Sequence, residues 1–306
     1  MKKILISVVG PTAIGKTKTA IFLANYFKTV IISADSRQFY KEMRIGTAVP
    51  TKSELEAAQH HFIQHKSIHD NYSVGDFEKD ALVLLDVLFK EHDVVIMVGG
   101  SGLYVNAVTK GLDAFPKVDK GIRDNLNSEL RTKGIQVLQH RLKKLDSEYY
   151  NTIDEDNPHR LIRALEICMG TGLPYSSFLN KPKPSRLFQV LTVGLTAERA
   201  IVYERINQRV DAMMTQGLLQ EAKSLYGQKD LNALQTVGYK ELFNYIDGSW
   251  ELDFAISEIK KNTRRFAKRQ FTWFKKNEDT VWIDHAVEKT DILDEISSKI
   301  QELKNI

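Results

Sequence analysis

The stretch Gly10-Pro11-Thr12-Ala13-Ile14-Gly15-Lys16-Thr17 limits the folds open to this chain more than any other feature. It has the spacing G-x-x-x-x-G-K-[ST], after an apolar β-branched run at residues 4–9 and before a segment of helical periodicity. Small residues in such a loop let backbone N–H groups converge on phosphate oxygens. The N-terminus of the following helix adds partial positive charge. The Lys16 ammonium can reach the terminal phosphates, and the Thr17 hydroxyl can ligate Mg²⁺. A loop of this kind needs a buried strand on one side and a helix on the other.

The rest of the chain repeats that alternation. Residues 29–34, 93–98 and 189–195 read as buried strands. Between the first two, Ser73-x-x-Asp76 resembles a capping box and opens a helix with Val74, Phe77, Ala81, Leu84, Leu85 and Leu88 inward. The expected fold is therefore α/β: a doubly wound parallel sheet of the P-loop NTPase-like kind. Residues 116–187 break the pattern and read as helices only, with Ile122, Leu126 and Leu130 recurring at four, and Leu138, Leu142 and Leu145 at four and three. The organisation expected is a core at 1–115, an all-helical insertion domain at 116–187, and a second core part at 188–306 with basic C-terminal helices. Residues 197–226 and 251–276 are again helical.

Composition narrows the class. At 306 residues, 42% hydrophobic and 27% charged, the chain can bury a core without staples. Its one cysteine, Cys168, leaves no disulfide framework or multi-cysteine zinc site and fits a reducing compartment. The apolar N-terminal run has strand length and no cleavage signature, and no apolar run nears the roughly 20 residues that span a bilayer. A cytoplasmic protein without membrane contact is expected. The net charge of +4 says less than its distribution. Between Ile256 and Lys276 stand eight basic residues and one acid, Glu258, a local balance suited to a polyanion.

Asp35 follows the second strand. Ligands of an open parallel sheet bind outside the carboxyl ends of its strands, so Asp35 belongs to the phosphate-loop edge. It can serve as a general base, as a metal ligand, or simply as a turn or helix cap before Ser36-Arg37-Gln38. The strand at 94–98 ends in Gly99-Gly100-Ser101, without the acid that helps nucleotide hydrolases hold their metal. An enzyme from which diphosphate merely leaves fits better than an ATPase.

Further segments carry a family resemblance: Asp35-Ser36-Arg37-Gln38-Phe39-Tyr40, Ile45-Gly46-Thr47-Ala48-Val49-Pro50, His60-His61-Phe62, and Gly99-Gly100-Ser101-Gly102-Leu103-Tyr104. Asn157-Pro158-His159-Arg160-Leu161-Ile162-Arg163-Ala164-Leu165-Glu166 follows, then Arg205-Ile206-x-x-Arg209, Val237-Gly238-Tyr239-Lys240-Glu241 and Ala267-Lys268-Arg269-Gln270-x-x-Trp273. In this order they resemble the tRNA dimethylallyltransferase (isopentenyl-diphosphate:tRNA transferase) family, of the bacterial type without a downstream zinc finger. The resemblance implies that Gly10, Pro11, Thr12, Ala13, Ile14, Gly15, Lys16 and Thr17 hold dimethylallyl diphosphate with Mg²⁺ at Thr17. It implies a dimethylallyl transfer to the exocyclic amine of the adenosine 3′ to the anticodon, forming N6-isopentenyladenosine. Asp35 matches the family's base and Arg209 its diphosphate-contacting arginine. Asp35, Ser36, Arg37, Gln38 and Ser101 would meet the target nucleotide. Arg123, His159, Arg160, Leu161, Ile162, Arg163, Gly238, Tyr239, Lys240, Lys268, Arg269, Gln270 and Trp273 would meet the tRNA anticodon stem-loop. A monomer is expected. Ser101 stands where threonine is commoner, and His159 where glutamine is frequent.

Several of these residues have plainer readings. Asn157 and Pro158 make a good N-cap and first helical residue. Arg205 and Arg209 could pair with Glu204 or Asp211. Phe266, Phe271, Trp273 and Phe274 could be core, with Trp273 the best candidate for a base-stacking platform. His61, His65 and His69 would share a face if helical. Two other functions share the loop and Asp35: an adenylate isopentenyltransferase acting on free nucleotides, and a non-catalytic P-loop RNA-binding module.

Overall fold

The computed structural model describes residues 2–305. In chain order its elements are β1 (Ile4–Val9), α1 (Lys16–Tyr26), β2 (Ile31–Ser33), α2 (Lys52–Ala57), β3 (His60–His61), α3 (Val74–Glu91), β4 (Val94–Val98) and α4 (Gly102–Lys110). Then come α5 (Lys120–Lys133), α6 (Ile135–Leu145), α7 (Ser147–Tyr150) and α8 (Pro158–Thr171). The last stretch holds β5 (Gln189–Thr196), α9 (Arg199–Thr215), α10 (Leu218–Leu225), α11 (Tyr239–Ile246), α12 (Leu252–Phe274), β6 (Val281–Asp284) and α13 (Lys289–Asn305). The chain divides into a unit of residues 1–110 with 186–306, and a second unit of 111–185.

The first unit is built on a six-stranded sheet of order β3-β2-β4-β1-β5-β6, parallel at every pairing. All six residues of β1 are buried, as a central strand between two layers requires. Alternate side chains divide between the faces. Ile4, Ile6 and Val8 pack with Ala20, Leu23 and Ala24 of α1 and with Ile292, Ile296 and Ile300 of α13. Leu5 and Val9 pack with Phe77, Ala81, Leu85 and Leu88 of α3. Each large buried side chain contributes about 1.5–3 kcal/mol, against about 1 kcal/mol net for a ladder hydrogen bond. A one-residue slip would exchange the two sets between the α1/α13 face and the α3 face and mispack both, so the fit of each face fixes the register. The helix α3 opens with the expected capping box, Ser73 with Asp76.

Six elements were not read from the sequence: α2, α4, α11, β3, β6 and α13. β3 has two residues and β6 four, too short for a periodic signal, and α13 is polar over most of its surface with only Ile292, Ile296 and Ile300 buried. The histidine segment differs from the helical alternative. After β3 the chain turns, with left-handed backbone at Phe62 and Gln64, so His61, His65 and His69 share no helix face. His65 lies edge-on to Phe39, Phe62 and Tyr72, and burial lowers its pKa to about 4. Among the described residues no group of three His, Cys, Asp or Glu side chains could hold a metal.

The second unit is helical. Leu126 of α5, Leu138 and Leu142 of α6, and Leu161, Ile162 and Leu165 of α8 form its core, with Phe115 stacked on Tyr175. Asn157 caps α8 through the N–H of Arg160, with Pro158 as its first residue.

At the end of β4, a Cβ on Gly99 would stand 2.5 Å from the Ala34 carbonyl group. Gly99→Ala must therefore push β4 from the chain that leads into Asp35. We expect a loss of about 1–3 kcal/mol in urea unfolding, the usual cost of overpacking. Unchanged stability would show that this edge yields freely.

Candidate active site

The phosphate loop joins β1 to α1 through residues that few side chains tolerate. Gly10 and Gly15 have φ of 139° and 108°, and Ala13 is left-handed at 65°. A Cβ on Gly10 would also meet the Leu195 carbonyl oxygen of β5 at 2.7 Å. The loop is therefore shaped by its glycines and pressed against the neighbouring strand. The side chains of Pro11 and Ile14 are buried, which leaves the loop's backbone for a ligand.

Lys16 opens α1 and donates to the Pro11 carbonyl at 2.8 Å. Burial lowers its pKa to about 8. The charge of Asp35 opposes that fall and Arg209 adds to it. Arg209 is held below its ordinary value by burial, again opposed by Asp35. Lys16, Arg209 and Asp35 thus act on one another across one cavity, which all three line.

Two arginines of α9 hold the loop from the far side. Arg209 donates to the Thr12 hydroxyl at 3.2 Å, and Arg205 to the Ile14 carbonyl at 3.3 Å. The alternative pairing with Glu204 or Asp211 is not formed. Glu204 accepts from Gln208, and Asp211 from Lys260. α12 adds Gln270, which accepts from the Thr12 N–H at 2.8 Å and donates to the Gly100 carbonyl at 2.9 Å.

Beyond β2, the Asp35 carboxylate accepts from the Arg37 N–H at 3.1 Å. The turn-cap reading of Asp35 is therefore real, and it coexists with a place on the cavity wall. Ser101 accepts from the Ser36 N–H at 3.1 Å and lies within hydrogen-bonding distance of its hydroxyl. This ties the ends of β2 and β4 together. Gln38 donates to the carbonyls of Thr47 and Ala48, at 3.3 and 2.9 Å. Arg37 donates to the Ala233 and Asn232 carbonyls, so part of its guanidinium is spent on the protein itself.

Sequence reasoning missed Glu221 on α10. Its carboxylate accepts the N–H groups of Arg44, Ile45 and Gly46 at 3.1, 2.8 and 2.9 Å, and the Tyr239 hydroxyl at 2.6 Å. It anchors the cavity wall at residues 44–46, and Gly46 leaves room for the Tyr239 ring. No motif surrounds Glu221, so nothing in the sequence marked it.

Some expected RNA contacts are redirected by burial. Tyr239 and Leu161 are fully buried and Ile162 is 5% exposed. Their side chains build the two cores and cannot face an RNA. Gln270 is 6% exposed and serves the loop. Lys240, Lys268 and Arg269 are exposed. Trp273 is 37% exposed, with its indole packed on Gly102. Phe266, one of the expected core aromatics, is 39% exposed beneath the Arg269 guanidinium, whereas Phe274 is buried.

The second unit carries its own cationic group. Arg123 donates twice to Glu166, at 2.5 and 2.9 Å, and Arg163 pairs with the same carboxylate while lying over the Phe115 ring. Glu166 is 4% exposed, so one buried carboxylate holds two partly exposed guanidiniums. His159 and Arg160 are exposed at the start of α8.

The cavity of the first unit measures about 1880 Å³. Small-molecule sites commonly occupy about 300–1,000 Å³, so this one has room for two reactants. Its floor is cationic, its side bears Asp35 and Ser101, and its rim includes Arg269 and Trp273. Such a site can bind a diphosphate and present a carboxylate to a second reactant.

Comparison with known proteins agrees with that chemistry. The family model described as IPP transferase matches residues 38–277. A tRNA dimethylallyltransferase of Christiangramia forsetii is 62% identical over 300 residues, covering 98% of this chain and 99% of that protein. One from Flavobacterium johnsoniae is 56% identical, covering 95% and 96%. Among solved structures, the tRNA isopentenylpyrophosphate transferase of Bacillus halodurans has a TM-score of 0.74 at 38% identity, covering 100% of this chain and 99% of that one. A eukaryotic dimethylallyltransferase acting on tRNA has a TM-score of 0.79 at 26% identity, covering 92% and 74%.

Lys16 gives the site a pH signature. A protonated lysine attracts the anion, so affinity for inorganic pyrophosphate should fall as pH rises through about 8. In Lys16→Arg the charge persists and that component of the fall should vanish. Calorimetric titration across this range checks it. Superimposable profiles for the two proteins would remove Lys16 from the binding step.

Proposed function

The chain belongs to the IPP transferase family, and from that membership we propose how its cavity performs prenyl transfer. The protein transfers a dimethylallyl group from dimethylallyl diphosphate to tRNA. The observation that carries the site assignment is the meeting of the phosphate loop, the partly desolvated cations Lys16 and Arg209, and the Asp35 carboxylate in a single cavity.

The donor diphosphate lies in the loop of residues 10–17, with its charge met by Lys16, Arg209 and the N-terminus of α1. Mg²⁺ suits the donor set: the Thr17 hydroxyl would be its protein ligand, since this ion commonly completes its shell with substrate phosphates and water. When bound, it would neutralise part of the diphosphate charge. The acceptor is the exocyclic amine of the adenosine 3′ to the anticodon, which leaves its stack to enter the cavity. That nitrogen's lone pair is delocalised into the ring, so it attacks the allylic carbon poorly unless a base takes its proton. The Asp35 carboxylate takes it as the N–C bond forms. The C–O bond to diphosphate breaks, and Lys16 and Arg209 hold the leaving anion. Ser36 and Ser101 support the nucleotide beside Asp35. Lys240, Lys268, Arg269 and Trp273 are the first unit's contacts to the anticodon stem-loop; the second unit's own tRNA contacts are Arg123, His159, Arg160 and Arg163. A monomer fits this reading, and a cytoplasmic location goes with the tRNA acceptor.

A transfer assay tests the reading. Protein, Mg²⁺ and labelled dimethylallyl diphosphate are mixed with unmodified tRNA, and in parallel with AMP. Label should enter only tRNA, at the adenosine beside the anticodon; label in AMP would reassign the acceptor. Asp35→Ala should leave tRNA affinity intact and lower turnover by about 10²–10⁴-fold, the usual worth of a positioned base. A drop below about tenfold would mean that Asp35 is not the base. Lys268→Ala and Arg269→Ala should each weaken tRNA binding and reduce the slope of log affinity against log salt by about one. Unchanged affinity in both would move the docking surface away from α12.

A further inference from the structure

We propose that Gln270 is a positioning residue of the donor site, and that its side chain fixes the phosphate loop rather than touching RNA. The inference rests on the reading of residues 10–17 as the donor site.

The geometry is specific to a primary amide. The Thr12 N–H needs an acceptor and the Gly100 carbonyl needs a donor, and the Gln270 side chain supplies one of each, at 2.8 and 2.9 Å. A carboxylate could not donate to Gly100, and an ammonium could not accept from Thr12. The side chain is 6% exposed, although Lys268 and Arg269 before it on α12 are exposed. The helix thus turns its cations outward and this amide inward.

The neighbours make room for it. A Cβ on Gly100 would stand 2.2 Å from the Gln270 amide nitrogen and 3.7 Å from the Lys16 ammonium. Gly100 therefore lacks a side chain where the amide passes to reach its carbonyl. Thr12 is held twice, its N–H by Gln270 and its hydroxyl by Arg209. Without Gln270, the Thr12 N–H and the Gly100 carbonyl would be left unpaired away from water, which is costly for buried polar groups. The loop can recover by turning the Thr12 peptide elsewhere, which would change the spacing of the N–H groups that meet the diphosphate. This mechanism predicts a defect in donor binding. An RNA contact predicts a defect in tRNA binding.

The test is Gln270→Leu, which keeps approximate bulk and removes both hydrogen bonds. Dissociation constants for inorganic pyrophosphate and for unmodified tRNA are measured separately, with the Michaelis constant for dimethylallyl diphosphate in the transfer assay. The expected result is at least a tenfold weakening of pyrophosphate binding and a parallel rise in that Michaelis constant, with tRNA affinity within twofold of the parent. Gly100→Ala offers a second route, since its methyl group must displace the amide, and should show the same split if Gln270→Leu fails to fold. Unchanged pyrophosphate affinity, or a loss of tRNA affinity as large as that for pyrophosphate, overturns the proposal. Should the unaltered protein bind pyrophosphate but transfer nothing, the functional reading fails while the Gln270 tie can still be judged by pyrophosphate binding.

Discussion

The arrangement of this site depends on a lysine kept from water beside a second cation. Lys16 and Arg209 share a cavity with Asp35, and burial lowers the pKa of both. Asp35 favours the charged form of each, and Glu54 also favours that of Arg209. Desolvation opposes both charged forms, and these carboxylates only partly offset it. A diphosphate held there, as proposed, would favour both charged forms, and more strongly as charge builds on the leaving oxygen. Electrostatics of this kind help most when the groups are already in place.

Keeping them in place is the work of the surrounding protein. The loop touches β5 through Gly10, α9 through Thr12 and Ile14, and α12 through Thr12. The ends of β2 and β4 are joined by Ser36 and Ser101, which sets the carboxylate-bearing turn against the loop. Gly99 permits this because it lets β4 approach the chain at Ala34 closely. The opposite wall, at residues 44–46, hangs from Glu221. Every wall of the cavity is therefore fixed to a helix or strand whose other face is core.

The sequence made legible what is local. The phosphate loop announces itself because glycine, lysine and threonine at fixed spacing after a strand have one common use. The capping box at Ser73 and the N-cap at Asn157 act over three residues and could be read directly. What was hidden depends on contacts far apart in the chain. Glu221 meets residue 44 across 177 positions, and Gln270 meets Thr12 across 258. β3 and β6 exist because neighbouring strands offer them partners, and their own few residues carry no period. The fold was thus readable from its repeating patterns, and the cations and carboxylate of the site from the loop and the resemblance. The ties that orient them were not.

The same division runs through the segment His159 to Arg163. The resemblance marks all five residues together, yet a helix cannot turn five consecutive side chains to one side. Leu161 and Ile162 enter the core of the second unit, and His159, Arg160 and Arg163 remain outside or at its edge. One turn of α8 therefore packs inward and keeps cationic side chains at its surface. Glu166 connects them. Placed three residues after Arg163, it is buried with the core and yet grips both Arg163 and Arg123. Two guanidiniums on one carboxylate leave a net positive charge, and the buried partner restricts the freedom of two long side chains. A phosphate meeting that pair has less arginine entropy to overcome than it would on a free surface. The helical unit can thus offer an ordered cationic surface even where its arginines already have a partner, since the ion pairs orient their charge without cancelling it.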